Sequence, residues 1–118
     1  MKSYSTRQTI ARIETYLQTL AGRNDLEGLL TDYHDDAVFY TPDCVYRGKR
    51  EIRGFFSSFL NAMPEEMHNT FQVMWQDVAE DTAHIVWKAD PFISLGTDTF
   101  VVKNGKITLQ TFSTHVLT

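Results

Sequence analysis

Asp98 is the residue in this sequence best placed to do chemistry. It lies two residues from both Gly96 and Phe100, and in a strand that spacing puts all three on one face. If that face is turned inward, Asp98 sits among aromatics, where burial raises the pKa of a carboxyl group and favours its neutral, hydrogen-donating form. Tyr16 is the second such residue. It follows Ile13 by three positions and precedes Leu20 by four, so it shares the buried face of an amphipathic helix. A phenol and a neutral carboxylic acid can both donate to the negative charge that builds on a carbonyl oxygen when a proton is removed beside it. The same residues fit two plainer roles: a buried pair whose members satisfy each other, and an Asp98 solvated on the outer sheet face.

Other chemistries find no support. The four His and several Asp include no pair at ligand spacing such as H-x-x-x-H, so no metal site is expected. No Gly-rich phosphate loop and no nucleophile motif occurs, and no cofactor is expected. The net charge of −4, with no stripe of Lys and Arg, excludes a phosphate-neutralising surface and so nucleic acid. Cys44 is the only cysteine, which rules out an internal disulfide and points to a reducing, cytoplasmic setting. The stretch Met1 to Ala11 has no apolar run of the secretory kind. No segment approaches the ~20 apolar residues of a membrane span. A chain of 118 residues, 42% hydrophobic and 13% aromatic, suits a single domain over 1–118 with a core of its own.

The elements that must position these residues divide by half. Helical spacing runs through Ile10, Ile13, Leu17 and Leu20, opening with a capping box at Ser5 and Gln8 and stopping at Gly22. Asn24 and Glu27 suggest a short helix holding Leu26, Leu29, Leu30 and Tyr33. Ala37 to Thr41 reads as a strand ended by Pro42-Asp43, with Val45-Tyr46 placed to pair back on it. A helix from about Arg50 to Ala62 carries the wide apolar stripe Ile52, Phe55, Phe56, Phe59, Leu60 and Met63, and Pro64 ends it. Long strands are expected over about His68–Val78, Thr82–Asp90, Phe92–Lys103 and Lys106–Val116. Their turns fall at Glu80-Asp81, at Asp90-Pro91 (a break or bulge) and at Asn104-Gly105, a strong hairpin signal. Phe71, Val73 and Trp75 alternate with Thr70, Gln72 and Met74, so both sheet faces are partly apolar and both are expected to be covered. Helices first and strands after indicate an α+β domain with an antiparallel sheet.

Tyr16, then Ala21-Gly22-Arg23-Asn24-Asp25-Leu26-Glu27-Gly28, then Tyr33-His34-Asp35-Asp36-Ala37-Val38-Phe39, then Gly48-Lys49-Arg50-Glu51-Ile52-Arg53-Gly54-Phe55-Phe56 follow one another at characteristic intervals. With Asp98-Thr99-Phe100 and Asn104-Gly105-Lys106-Ile107, this succession resembles the nuclear-transport-factor-2-like superfamily across nearly the whole chain. Within it the nearest likeness is to the branch of ketosteroid isomerase and the SnoaL-like polyketide cyclases. The resemblance implies a cone-shaped α+β domain, a cystatin-like roll in which a curved, mostly antiparallel sheet wraps a long N-terminal helix. A pocket would open between sheet and helices, and the outer sheet face would form a homodimer. For function it implies a proton-transfer isomerase, cyclase or dehydratase on a small apolar carbonyl compound, or a non-catalytic small-ligand-binding or dimerisation domain.

By the same resemblance, Tyr16 and Asp98 fall on the isomerase's oxyanion-hole tyrosine and aspartic acid, the latter an acid kept neutral by its apolar site. Phe55 and Phe56 match a pocket-lining aromatic pair. The isomerase's general base is an aspartate just before a proline, and here Thr41 precedes Pro42, so that base is missing and any replacement comes from another residue or from a ligand group. Asp43, across Pro42, is the candidate substitute, although a residue in that place more often serves a turn after proline. Asp36, His34 and His115 are further candidates, with His34 expected at a solvated helix end and His115 pointing outward. The expected substrate-binding set is Phe39, Thr41, Phe55, Phe56, Phe59, Trp75, Trp87, Phe100 and Phe112; core or dimer packing is an equal reading for the two tryptophans.

Overall fold

A computed structural model of the chain describes residues 3–22 and 26–116. Among the described residues four helices, α1 (Tyr4–Gly22), α2 (Leu26–Leu30), α3 (Gly48–Ala62) and α4 (Met67–Thr70), accompany six strands. The strands are β1 (Tyr33–Tyr40), β2 (Val45–Arg47), β3 (Phe71–Ala79), β4 (Thr82–Ala89), β5 (Ile93–Lys103) and β6 (Lys106–Val116). They form one open, curved sheet in the order β2-β1-β6-β5-β4-β3. Every neighbouring pair is antiparallel except β1 with β6. The fold is the expected α+β arrangement. Among the described residues no helix is long and apolar enough to cross a membrane.

The long helix begins earlier than Ser5. Ser3 Oγ accepts from the Thr6 backbone N–H at 3.1 Å, which is N-cap geometry, while the Ser5 carbonyl already accepts from Thr9 Oγ1 within the helix. Thr9, fully buried, also reaches the Glu80 carbonyl at 2.8 Å, and so fixes α1 to the turn between β3 and β4. Ile13 and Tyr16 are buried on the face turned to the sheet. The proposed cap Asn24 lies outside the described residues. Tyr33 belongs to β1 rather than to the short helix, because the chain turns at Thr31 and Asp32, where backbone bonds return to Gly28 and Leu29.

One face of the sheet holds the core: Ala83, Ile85 and Trp87 of β4, Phe100 and Val102 of β5, and Ile107 and Phe112 of β6. Helix α1 packs on β3, β4 and β5, while α3 covers β1 and β2. Both halves of the Asn104-Gly105 turn have positive φ, 52° and 76°, as a tight hairpin of the right twist requires. Two expectations shift on β3. The strand starts at Phe71 because Met67–Thr70 forms a helical turn. A bulge between Val73 and Trp75 then breaks the alternation. Val73 pairs with inward-facing Trp87, but Trp75 pairs with Val86 on the outer side.

Candidate functional site

Four side chains from three strands and α1 meet in the core around Gln110. Asp98 is 2% exposed and Gln110 fully buried. Asp98 Oδ1 accepts from Trp87 Nε1 at 2.8 Å and its Oδ2 accepts from Gln110 Nε2 at 2.8 Å. Gln110 Nε2 also donates to the Tyr16 hydroxyl at 3.1 Å, and Gln110 Oε1 accepts from the Tyr33 hydroxyl. Tyr16 and Asp98 therefore converge, but through Gln110 rather than directly. Burial pushes the Asp98 carboxyl up to about 7, against the pull of its bonds from Trp87 and Gln110. Burial, and after it the neighbouring Asp98, raises Tyr16 above the usual phenol range. Burial also raises Tyr33. All three groups are held toward their neutral, proton-bearing forms.

Gly96 is what lets Trp87 make its bond. The two are directly opposed across β4 and β5, and a Cβ on Gly96 would lie 2.2 Å from the indole. The bare backbone allows the ring to lie flat against the strand with its N–H aimed at Asp98.

Beside this network lies an aromatic cavity of about 250 Å³. Phe55 and Phe59 of α3 with Met63 just after it form one side, and Phe112 and Thr114 of β6 the other. Tyr46 and the Thr41-Pro42-Asp43 loop close the rim. Asp98 and Tyr16 do not line it. Phe112 is the partition: it stands directly across from Asp98 on the neighbouring strand, its ring is 6.3 Å from that of Trp87, and it also faces the cavity. A groove of about 380 Å³ is larger, but Glu27, Lys49, Arg50 and Arg53 line it with long charged side chains. Enclosure by rings makes the aromatic cavity the better ligand site. Among the described residues no three His, Cys, Asp or Glu are grouped to hold a metal.

The SnoaL-like domain family model matches residues 13–110, well over half of the chain. The chain belongs to the SnoaL-like domain family. Among solved structures, this SnoaL-like domain is similar to a nuclear-transport-factor-2-like protein of unknown function from Burkholderia xenovorans LB400, with TM-score 0.79 and 13% identity over 98% of this chain and 89% of that one. It is similar to a candidate ketosteroid isomerase from Kribbella flavida DSM 17836, with TM-score 0.70 and 17% identity over 96% and 82%. A candidate polyketide cyclase from Sinorhizobium meliloti gives TM-score 0.72 and 18% identity over 86% and 93%. At such identities these likenesses establish the fold and carry no activity across. No curated protein matches the sequence.

The SnoaL-like core divides the expected site residues into two groups. Thr41, Asp43, Phe55, Phe59 and Phe112 line the aromatic cavity. Phe39, Phe56 and Phe100 are fully buried and Trp87 is 3% exposed; they pack in the core behind the cavity wall, where Phe39 lies 4.7 Å from Phe55. Trp75 stands apart from both groups. It is 55% exposed on the outer face, 5.5 Å from His84, because the β3 bulge turns it away from the interior. Among the other base candidates, Asp36 and His115 are exposed. His34 is exposed on β1 rather than at a helix end, its Nδ1 accepting from the Asp36 backbone N–H.

Sequence reasoning missed Gln110, Tyr33 and the pair Arg12–Asp32. Gln110 had a signal: it lies two residues before Phe112, so an inward Phe112 requires an inward Gln110. Tyr33 had none, being read as part of a helix. Asp32 is 1% exposed and paired with Arg12, whose Nε also donates to the Gly105 carbonyl. Burial raises the Asp32 pKa against the pull of Arg12. Through Arg12 these contacts tie α1 to the turn before β1 and to the β5–β6 hairpin.

Proposed function

We propose that this SnoaL-like domain binds a small apolar molecule of one or two rings in the cavity between α3 and β6. The observation that carries the reading is the separation of the two halves of the site. Tyr16, Asp98, Gln110, Trp87 and Tyr33 satisfy one another behind Phe112. What faces the open space is rings, hydroxyls and Asp43. The volume of about 250 Å³ falls below the ~300–1,000 Å³ of drug-sized ligand sites, which limits the occupant to a compact molecule.

Proton transfer on a carbonyl compound is the second reading. It is favoured by a carboxyl near neutrality one ring away from the cavity, with Asp43 at the rim as the available base. For a ligand carbonyl to reach Asp98, Phe112 must leave its rotamer. A cytoplasmic homodimer through the outer sheet face completes the proposal; exposed Trp75 and Leu95 support it.

One sample separates the readings: 2-tetralone titrated into the protein in deuterated buffer and followed by NMR. Binding is expected to saturate, Phe59→Ala to weaken it about tenfold through loss of a ring wall, and the α-protons to exchange no faster than without protein. Absence of saturable binding would remove the first reading. Accelerated exchange that Asp98→Asn abolishes would establish the second in its place.

A further inference from the structure

The walls of the aromatic cavity have a sign. Phe55 and Phe59 lie nearly parallel, 12° apart with centroids at 5.8 Å. Phe112 stands almost perpendicular to both, at 72° and 83° with centroids 5.2 and 5.3 Å away. Tyr46 adds a fourth ring 5.3 Å from Phe55. The face of an aromatic ring carries negative charge density, and four rings line this one space. Among the described residues, the only formally charged side chain lining the cavity is Asp43, and no Lys, Arg or His joins it.

The Thr41 hydroxyl, one of those lining the cavity, has no proton to offer a ligand oxygen. Thr41 Oγ1 donates to the Cys44 carbonyl at 3.1 Å and accepts from the Cys44 backbone N–H at 3.0 Å and the Asp43 backbone N–H at 3.3 Å. Its proton is committed within its own turn. That same turn holds Asp43 at the mouth of the cavity. An anionic ligand would therefore meet a carboxylate and aromatic rings with no cationic partner among the described residues, and a cation would meet the complementary charge of Asp43.

We infer that the cavity selects an organic cation, an alkylammonium group on a small apolar body, held among Phe55, Phe59 and Phe112 with Asp43 on its open side. The inference rests on the small-ligand reading and names the ligand class for that site. Ring faces attract an ammonium electrostatically where they offer a neutral group of the same shape only dispersion.

The test compares phenyltrimethylammonium with tert-butylbenzene, equal in shape and differing in charge, by NMR titration of the full chain. The cation is expected to bind about tenfold more tightly, with its N-methyl protons shifted upfield by the surrounding rings. Asp43→Asn should narrow the gap to about threefold and leave tert-butylbenzene unchanged. Phe59→Leu, which keeps the apolar bulk, should weaken the cation more than the hydrocarbon. Equal or tighter binding of tert-butylbenzene overturns the cation inference and leaves the small-ligand reading standing. Failure of both compounds to bind overturns the two together.

Discussion

Burial pushes the Asp98 carboxyl up from an ordinary 3.8 to about 7. Over that interval the folded chain keeps a proton that the unfolded chain has released, so stability falls as pH rises. The Asp98 contribution is fully present below about pH 4 and is lost once pH passes about 7. At about 1.4 kcal/mol per pH unit, the loss amounts to roughly 4 kcal/mol. Asp98→Asn is neutral at every pH and keeps an acceptor for Trp87 Nε1. Urea denaturation at a series of pH values should therefore show the Asn variant gaining on wild type steadily between pH 4 and 7. Parallel stability profiles would mean that Asp98 is already ionised at little cost. That Asp98 faces inward was legible from its spacing to Gly96 and Phe100. That its partners are Gln110 and Trp87 was not, because a partner on another strand depends on register rather than on local sequence.

At the scale of the element, β4 and β5 work as one device through Gly96 and Trp87. A methyl group on Gly96 would collide with the indole six-membered ring, its nearest atom at 2.2 Å, and the ring cannot retreat without surrendering its bond to Asp98. Gly96→Ala is expected to cost about 1–3 kcal/mol, the range for overpacking a core. It should also change Trp87 fluorescence. In a Trp87→Phe background the same alanine should cost much less, because the colliding atoms are gone; a double-mutant cycle measures that coupling. Additive costs would show that the two residues act independently. The β3 bulge is a second device of this kind. Alternation read through Phe71, Val73 and Trp75 would put all three on one face, yet one extra residue sends Trp75 outward. A bulge of this sort reverses side-chain direction for everything after it and leaves no dependable mark in composition.

For the whole molecule, the curved sheet has a filled inner face and an outer face on which Trp75 and Leu95 are 55% and 49% exposed. Apolar groups left in water on a sheet favour association. If the proposed homodimer forms there, Trp75→Glu should bring the sedimenting mass down to that of one chain, without loss of the folded signal. A wild-type protein that already sediments as one chain would exclude the dimer. The cavity belongs to this scale as well. Its walls come from α3, β6, β2 and the loop before β2, and no two adjacent segments suffice to enclose it.

Periodicity and turn chemistry by themselves determined the long α1, the apolar stripe of α3, the strand-rich second half and the Asn104-Gly105 hairpin. Each is a consequence of neighbours along the chain: helical spacing, a residue tolerant of positive φ, a stripe that must find a core. The order of motifs along the chain further indicated the SnoaL-like fold. Tertiary structure alone decided that β1 lies parallel to β6, that Gln110 stands between Tyr16 and Asp98, and that Phe112 separates them from the open cavity. Those facts depend on which strands meet and in what register. A shift of one residue would turn Asp98 to solvent while leaving the sequence pattern of every element unchanged.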